Sequence, residues 1–122
     1  MSTNSKKLAV LIGSESRGIE DTHQSINFFL SLFDVPYDVF ICSDQADLSN
    51  FNSIKNIHST ISLEEIESRN PNLLKLKKKM KKHYWQNAKI FGTATLLDPL
   101  INEYATGLKM RTDFVFDYKR FF

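Results

Sequence analysis

The segment Leu108-Lys109-Met110-Arg111-Thr112-Asp113-Phe114-Val115-Phe116-Asp117 sets an arginine and two aspartates into a short apolar strand pattern. Hydrophobic packing alone does not select those charges, because an ionised group in an apolar run costs free energy unless it is paired or bound to an ion. Alternation along a strand over residues 108–116 would turn Arg111, Asp113 and Asp117 to one face. Two carboxylates flanking a cation can hold a hard divalent metal, Mg²⁺ or Mn²⁺, through oxygen ligands and water. The plainer alternative is a surface ion pair between Arg111 and Asp113, which is worth little.

A second group of residues stands near the other end of the chain, in Gly13-Ser14-Glu15-Ser16-Arg17-Gly18. In an open parallel sheet, ligands bind beyond the carboxyl ends of the strands, where loop amides and a helix N-terminus attract phosphate. Arg17 at the helix entry adds a planar donor fork that matches phosphate oxygens. The loop is neither GxGxxG nor a Walker loop, and an ordinary strand-to-helix turn with a solvated arginine has the same residues.

Two further candidates share one stretch. Lys75, Lys77, Lys78, Lys79, Lys81 and Lys82 lead into His83-Tyr84-Trp85-Gln86-Asn87. On a helix the lysines spread over more than one side, with Leu76 and Met80 between them, which reads as a solvated face; an anionic surface or a nucleic acid is the sharper alternative. Gln86 and Asn87 can hydrogen-bond a base or sugar if they face a cleft. The three histidines are far apart, no zinc spacing occurs, and no GxSxG nucleophile elbow is present. Cys42, the lone cysteine, falls in an apolar run and reads as packing rather than as a nucleophile.

The elements that must position these groups follow from periodicity. Residues 1–6 are polar and read as a frayed end. Residues 7–12 (KLAVLI) form a nearly uninterrupted apolar run, the pattern of a strand buried on both faces. Ile19, Thr22, His23, Ile26, Phe29, Leu30 and Phe33 recur at helical spacing, with Glu20 and Asp21 suiting the positive end of the helix dipole and Pro36 ending the element. Residues 37–42 (YDVFIC) are a second strand, completing a βαβ unit. A third strand is expected near residues 54–57. Ser62 with Glu65 reads as a capping box for a short helix. Asn70-Pro71 opens a long helix running to Leu97, with Leu73, Leu76, Met80, Tyr84, Ala88, Phe91 and Thr95 inward, and Gly107 marks the stop before the last strand.

The bulk numbers fit one α/β domain. The 122 residues are 42% hydrophobic and 25% charged, with ten phenylalanines, an ordinary globular composition rather than a disordered one. The net charge of +2 is too weak to imply a nucleic-acid partner. A single cysteine and the lack of a secretory-type leader point to a cytoplasmic protein, and no apolar run approaches the ~20 residues that span a bilayer.

The order of elements, with "DVFI", the Tyr84-Trp85-Gln86 helix and "LKMRTDFVF", resembles the N-terminal, nucleotide-sugar-binding half of GT-A-type glycosyltransferases of capsule and lipopolysaccharide synthesis. The resemblance implies a Rossmann-like, mostly parallel sheet with flanking helices, here as a truncated GT-A-like half. It implies a nucleotide-diphosphate sugar donor contacted by Gly13, Ser14, Arg17, Gln86 and Arg111. It also implies Mg²⁺ or Mn²⁺ on Asp113, with Asp117 as a second ligand. Ser14-Glu15-Ser16 replaces the glycine-glutamine-type loop of that family. Such enzymes continue past the metal strand, and the later half brings the acceptor site and the catalytic base. The chain is therefore expected to be a truncated product or a minimal donor-binding half, with its glycan acceptor and catalytic residues unassigned.

Two other readings compete. One is a non-catalytic α/β remnant that binds a partner through the aromatic C-terminus or the lysine helix; the cluster Phe114, Phe116, Phe121 and Phe122 implies a homodimer under this reading and under the glycosyltransferase one. The other takes Gly13-Ser14-Glu15-Ser16-Arg17-Gly18-Ile19 as similar to the GSEGxG-type loop of knotted RNA methyltransferases, although there the loop sits late in the chain.

Overall fold

The computed structural model describes residues 6–112. Asp113 and Asp117, the expected metal ligands, and Phe114, Phe116, Phe121 and Phe122 lie outside the described residues.

Four strands form one sheet in the order β3-β2-β1-β4, every neighbouring pair parallel. They are β1 (Lys7–Gly13), β2 (Tyr37–Ser43), β3 (Ile57–Ser62) and β4 (Tyr104–Met110). The fold is Rossmann-like α/β. β1 is central and buried on both sides, as its unbroken apolar run requires. Leu8, Val10 and Ile12 pack with Val39 and Ile41 of β2 beneath α1 (Ile19–Ser31). Ala9 and Leu11 face the opposite layer with Phe40, Leu97 and Tyr104.

Helix α1 forms because Ile19, Thr22, Ile26 and Leu30 recur on one buried face. Gly18 precedes it at φ +81°, a left-handed conformation that glycine adopts without strain. The helix ends at Ser31, five residues before Pro36, so the proline is not what stops it. The Ser62 half of the capping box is present: Glu65 N–H donates to Ser62 Oγ at 3.0 Å and opens α2 (Leu63–Arg69), while the Glu65 carboxylate accepts from Arg69 Nε at 2.8 Å.

The long crossover from β3 to β4 departs from the sequence expectation. In place of one helix over 71–97 there are two, α3 (Leu73–Met80) and α4 (Tyr84–Leu97). Lys81, at φ +53°, breaks them apart, and a 3₁₀ turn over Lys81–His83 re-aims the chain. The inward face of α4 is Tyr84, Ala88, Lys89, Gly92, Thr93 and Leu97, whereas Phe91 and Leu76 are exposed. Gly92 lies against Cys42.

Both later strands are displaced from their expected positions. The third strand begins at Ile57, where the expectation ended. The last runs over Tyr104–Met110, with Gly107 inside it opposite Ala9, so Arg111 lies one residue past the strand rather than within it. The shared strand face expected for Arg111, Asp113 and Asp117 therefore has no strand at Arg111 to carry it.

Candidate anion-binding site

The strand order creates a site at one position. The chain leaves β1 through α1 toward β2 on one side, and returns from β3 through α4 to β4 on the other. Connections diverge between β1 and β4, the switch point where open parallel sheets bind ligands. Ile12 pairs with Met110, so the Gly13 turn and the Arg111 turn emerge side by side at the carboxyl edge. A cavity of about 390 Å³ opens there.

Gly13, Ser14, Arg17, Gln86 and Arg111, read from separate parts of the sequence, all line this one cavity. Lys82, Lys89 and Lys109 join Arg17 and Arg111, giving five cations, and Trp85 contributes an aromatic wall. Glu15 is the single carboxylate among the described lining residues. It lies 3.7 Å from Arg17 in a pair whose side chains are 56% and 89% exposed, too solvated to hold the guanidinium. Convergence of like charge at a concave, partly enclosed surface raises the local concentration of anions.

Each wall is fixed by local structure. Gly13 is where β1 meets α4: a Cβ there would stand 2.7–2.8 Å from the backbone of Lys89 and Ile90. Only glycine permits that approach. The amide of Ser14 donates to the Cys42 carbonyl at 3.2 Å, and Asn50 Nδ2 donates to Ser16 Oγ at 3.0 Å, which holds the turn to β2 and to the loop beyond it. On the far side, the buried hydroxyl of Thr22 reaches the Thr112 carbonyl and lies 3.0 Å from the Gly18 carbonyl. That contact ties the Arg111 turn to the start of α1. Trp85 is held on one face by Lys77, whose Nζ is 4.2 Å from the ring centroid, and at its edge by Tyr84.

Lys89 is the residue the sequence pattern concealed. Its side chain is 3% exposed, and Nζ donates to Asp44 Oδ2 at 3.3 Å. A lysine is almost never buried without a partner or a ligand. The available signal was its register, since it falls on the same helical face as Tyr84, Ala88 and Gly92. Thr22 was read as a helix core position only, and its link to Thr112 joins residues ninety apart.

Among the described residues, Cys42 and Tyr84 near the crevice both hold their protons tightly. Cys42 is fully buried, and burial pushes its thiol up to about 12, with Lys89 opposing and Asp44 and Glu64 adding to the rise. Burial, with the hydrogen bond to Glu67 at 2.7 Å, also raises the Tyr84 phenol, which keeps its proton and donates. Ser43 Oγ, at the carboxyl end of β2, is buried with no hydrogen-bond partner among the described residues. No group of three or more His, Cys, Asp or Glu residues suited to a metal occurs among the described residues. No helix among them is long and apolar enough to cross a membrane.

The arrangement is that of a parallel α/β domain with five cationic side chains gathered at its switch-point crevice. Comparison with protein-family models, curated proteins and solved structures returned no match to the chain.

Proposed function

We propose that the crevice binds a nucleotide diphosphate, of the nucleotide-sugar class implied by the sequence resemblance to GT-A glycosyltransferases. One observation carries the reading: Arg17, Lys82, Lys89, Lys109 and Arg111 converge on the switch-point cavity beside Trp85 and Gln86. The guanidinium forks of Arg17 and Arg111 suit bidentate contact with phosphate oxygens, and the lysines act as point charges behind them. Trp85 offers its remaining ring surface to a base, and Gln86 can hydrogen-bond a base or sugar edge.

A divalent metal, Mg²⁺ or Mn²⁺, belongs to the same proposal. Its ligands would be Asp113 and Asp117, and Asp113 directly follows the lining residue Thr112 in sequence. Both aspartates lie outside the described residues, and among the described residues that line the cavity Glu15 alone supplies a carboxylate. When bound, such an ion neutralises charge that builds on a leaving diphosphate. Arg17, Arg111 and Lys89 would serve the same charge from the protein side.

A binding role without transfer is the second reading, and a specific observation favours it. Transfer to an acceptor hydroxyl needs a general base. Glu15 is the only described lining residue able to accept that proton, and it is solvated beside Arg17. The buried free thiol of Cys42 supports a cytoplasmic setting for either reading.

Isothermal titration with a nucleoside diphosphate, with and without Mn²⁺, tests the proposal. Binding should weaken about tenfold or more in Arg111→Ala, as expected for the loss of one charge-assisted contact. Asp113→Asn should remove the Mn²⁺-dependent part alone. If no heat appears in either condition, the nucleotide assignment fails.

A further inference from the structure

The lysine helix carries a second surface, distinct from the crevice. Between Ser68 and Leu97 the chain has eight cationic residues and no carboxylate, while its overall net charge is +2, so the remainder is net −6. This separation of charge is far larger than the net value suggests, and it centres on α3. That helix buries no residue. Its inward side is settled by contacts: Leu73 and Met80 pack partly buried against Leu63, Tyr84 and Ala88. With 100° per residue, the opposite side presents Leu74, Lys75, Lys78 and Lys79. All four are exposed, Leu74 at 48%.

Leu74 is left half in water beside lysines, on the side of α3 turned away from Leu73 and Met80. It suits a surface that is negatively charged and apolar just beneath, which is the headgroup layer of an anionic bilayer. Helices with a basic face and an apolar insertion lie in that interface, and each lysine near it adds to the attraction. A nucleic acid fits less well. The outward face is convex rather than grooved and has no aromatic side chain on which bases could stack.

We propose that the Leu74, Lys75, Lys78 and Lys79 face of α3 docks the protein on anionic phospholipid, independently of what the crevice binds. The lysines supply long-range attraction, and Leu74 enters the headgroup layer. Lys82, which follows the break at Lys81, lines the crevice, so the docking face and the crevice mouth adjoin along the chain.

Cosedimentation of the full chain with vesicles of phosphatidylcholine alone, or with about a third phosphatidylglycerol, tests this. Partition should require the anionic lipid. Lys75→Gln/Lys78→Gln/Lys79→Gln should weaken it about 100-fold, from roughly fivefold per lysine at the surface. Leu74→Ser should weaken vesicle partition about fivefold while leaving the affinity for a single-stranded oligonucleotide unchanged. None of these residues is buried, so unchanged far-UV circular dichroism is expected of both variants. Equal partition to neutral vesicles, or full retention by the triple variant, would overturn the assignment. So would an oligonucleotide that displaces the protein from vesicles at equal charge concentration, which would identify a nucleic-acid surface instead.

Discussion

Replacing Lys89 by methionine is expected to leave the fold nearly as stable as before and to weaken ligand binding, both through the same ammonium group. Lys89 Nζ is 3.3 Å from Asp44 Oδ2, with side chains 3% and 39% exposed. At that separation, two unit charges attract by about 5 kcal/mol at an effective dielectric near 20. Removing an ammonium from water costs several kcal/mol, so attraction and desolvation nearly cancel. Methionine keeps the length and volume of the stem, and the exposed part of Asp44 stays hydrated. The unfolding free energy should therefore remain within about 1 kcal/mol of wild type.

The complementary change separates pairing from burial. Asp44→Ala strands the ammonium and should cost about 2 kcal/mol, less than a fully enclosed pair would, because water already reaches Asp44. In the crevice, Lys89 offers a charge-assisted hydrogen bond worth about 1.5–3 kcal/mol, so Lys89→Met should raise Kd for a nucleoside diphosphate about 10- to 150-fold. Urea denaturation followed by circular dichroism reads the stability, and titration calorimetry reads the affinity. A Lys89→Met protein destabilised by ~3 kcal/mol or more would show that the cation holds the fold rather than the ligand. An unchanged Kd would show that Nζ does not serve the ligand at all.

Two more outcomes follow from packing and burial. Gly13→Ala brings a Cβ to 2.7–2.8 Å from backbone atoms of Lys89 and Ile90, which cannot rotate away. Helix α4 must then retreat by about 0.6 Å to reach ordinary contact, at a cost of about 1–3 kcal/mol; an unaltered thermal midpoint would refute this close approach. Stability should also fall at alkaline pH. The unfolded chain releases the Cys42 proton near 9.0, whereas the folded chain holds it to about 12, so the contribution is fully present below 9 and is lost as pH rises toward 12. The slope reaches about 1.4 kcal/mol per pH unit for this group. Tyr37, Tyr84 and Tyr104, each raised above 10.0 first by burial, steepen the loss at higher pH. Urea midpoints from about pH 8 to pH 11 measure it, with Cys42→Ala flattening the first part of the fall; a pH-independent midpoint would contradict the burial of these groups.

The parts of the fold visible in the sequence are those fixed by neighbours in the chain. β1 and β2 announce themselves as apolar runs, α1 by its period, and α2 by a cap that bonds three residues onward. β4 was misplaced for the opposite reason. Tyr104-Ala105-Thr106-Gly107 has no apolar run and lies largely exposed at the sheet edge. What makes it a strand is backbone pairing with β1, from Lys7 opposite Tyr104 to Ile12 opposite Met110, which no local pattern encodes. The break at Lys81 was equally hidden, since a lysine carries none of the signals by which glycine or proline marks a turn.

The same distinction explains why the site was partly legible. Arg17 and Arg111 stood out because each follows an apolar run, where a cation has no packing role. Lys89 did not, because its own helix is mixed in character and a single cation within it resembles surface. Its meaning depends on α4 lying against Gly13, and that contact depends in turn on β4 returning beside β1 rather than beside β3. Strand order thus acts on the chemistry directly. Placing β4 beyond β3 instead would send the Arg111 turn three strands away from the Gly13 turn. The five cations would then never share a cavity, although every one of them would still be present in the sequence.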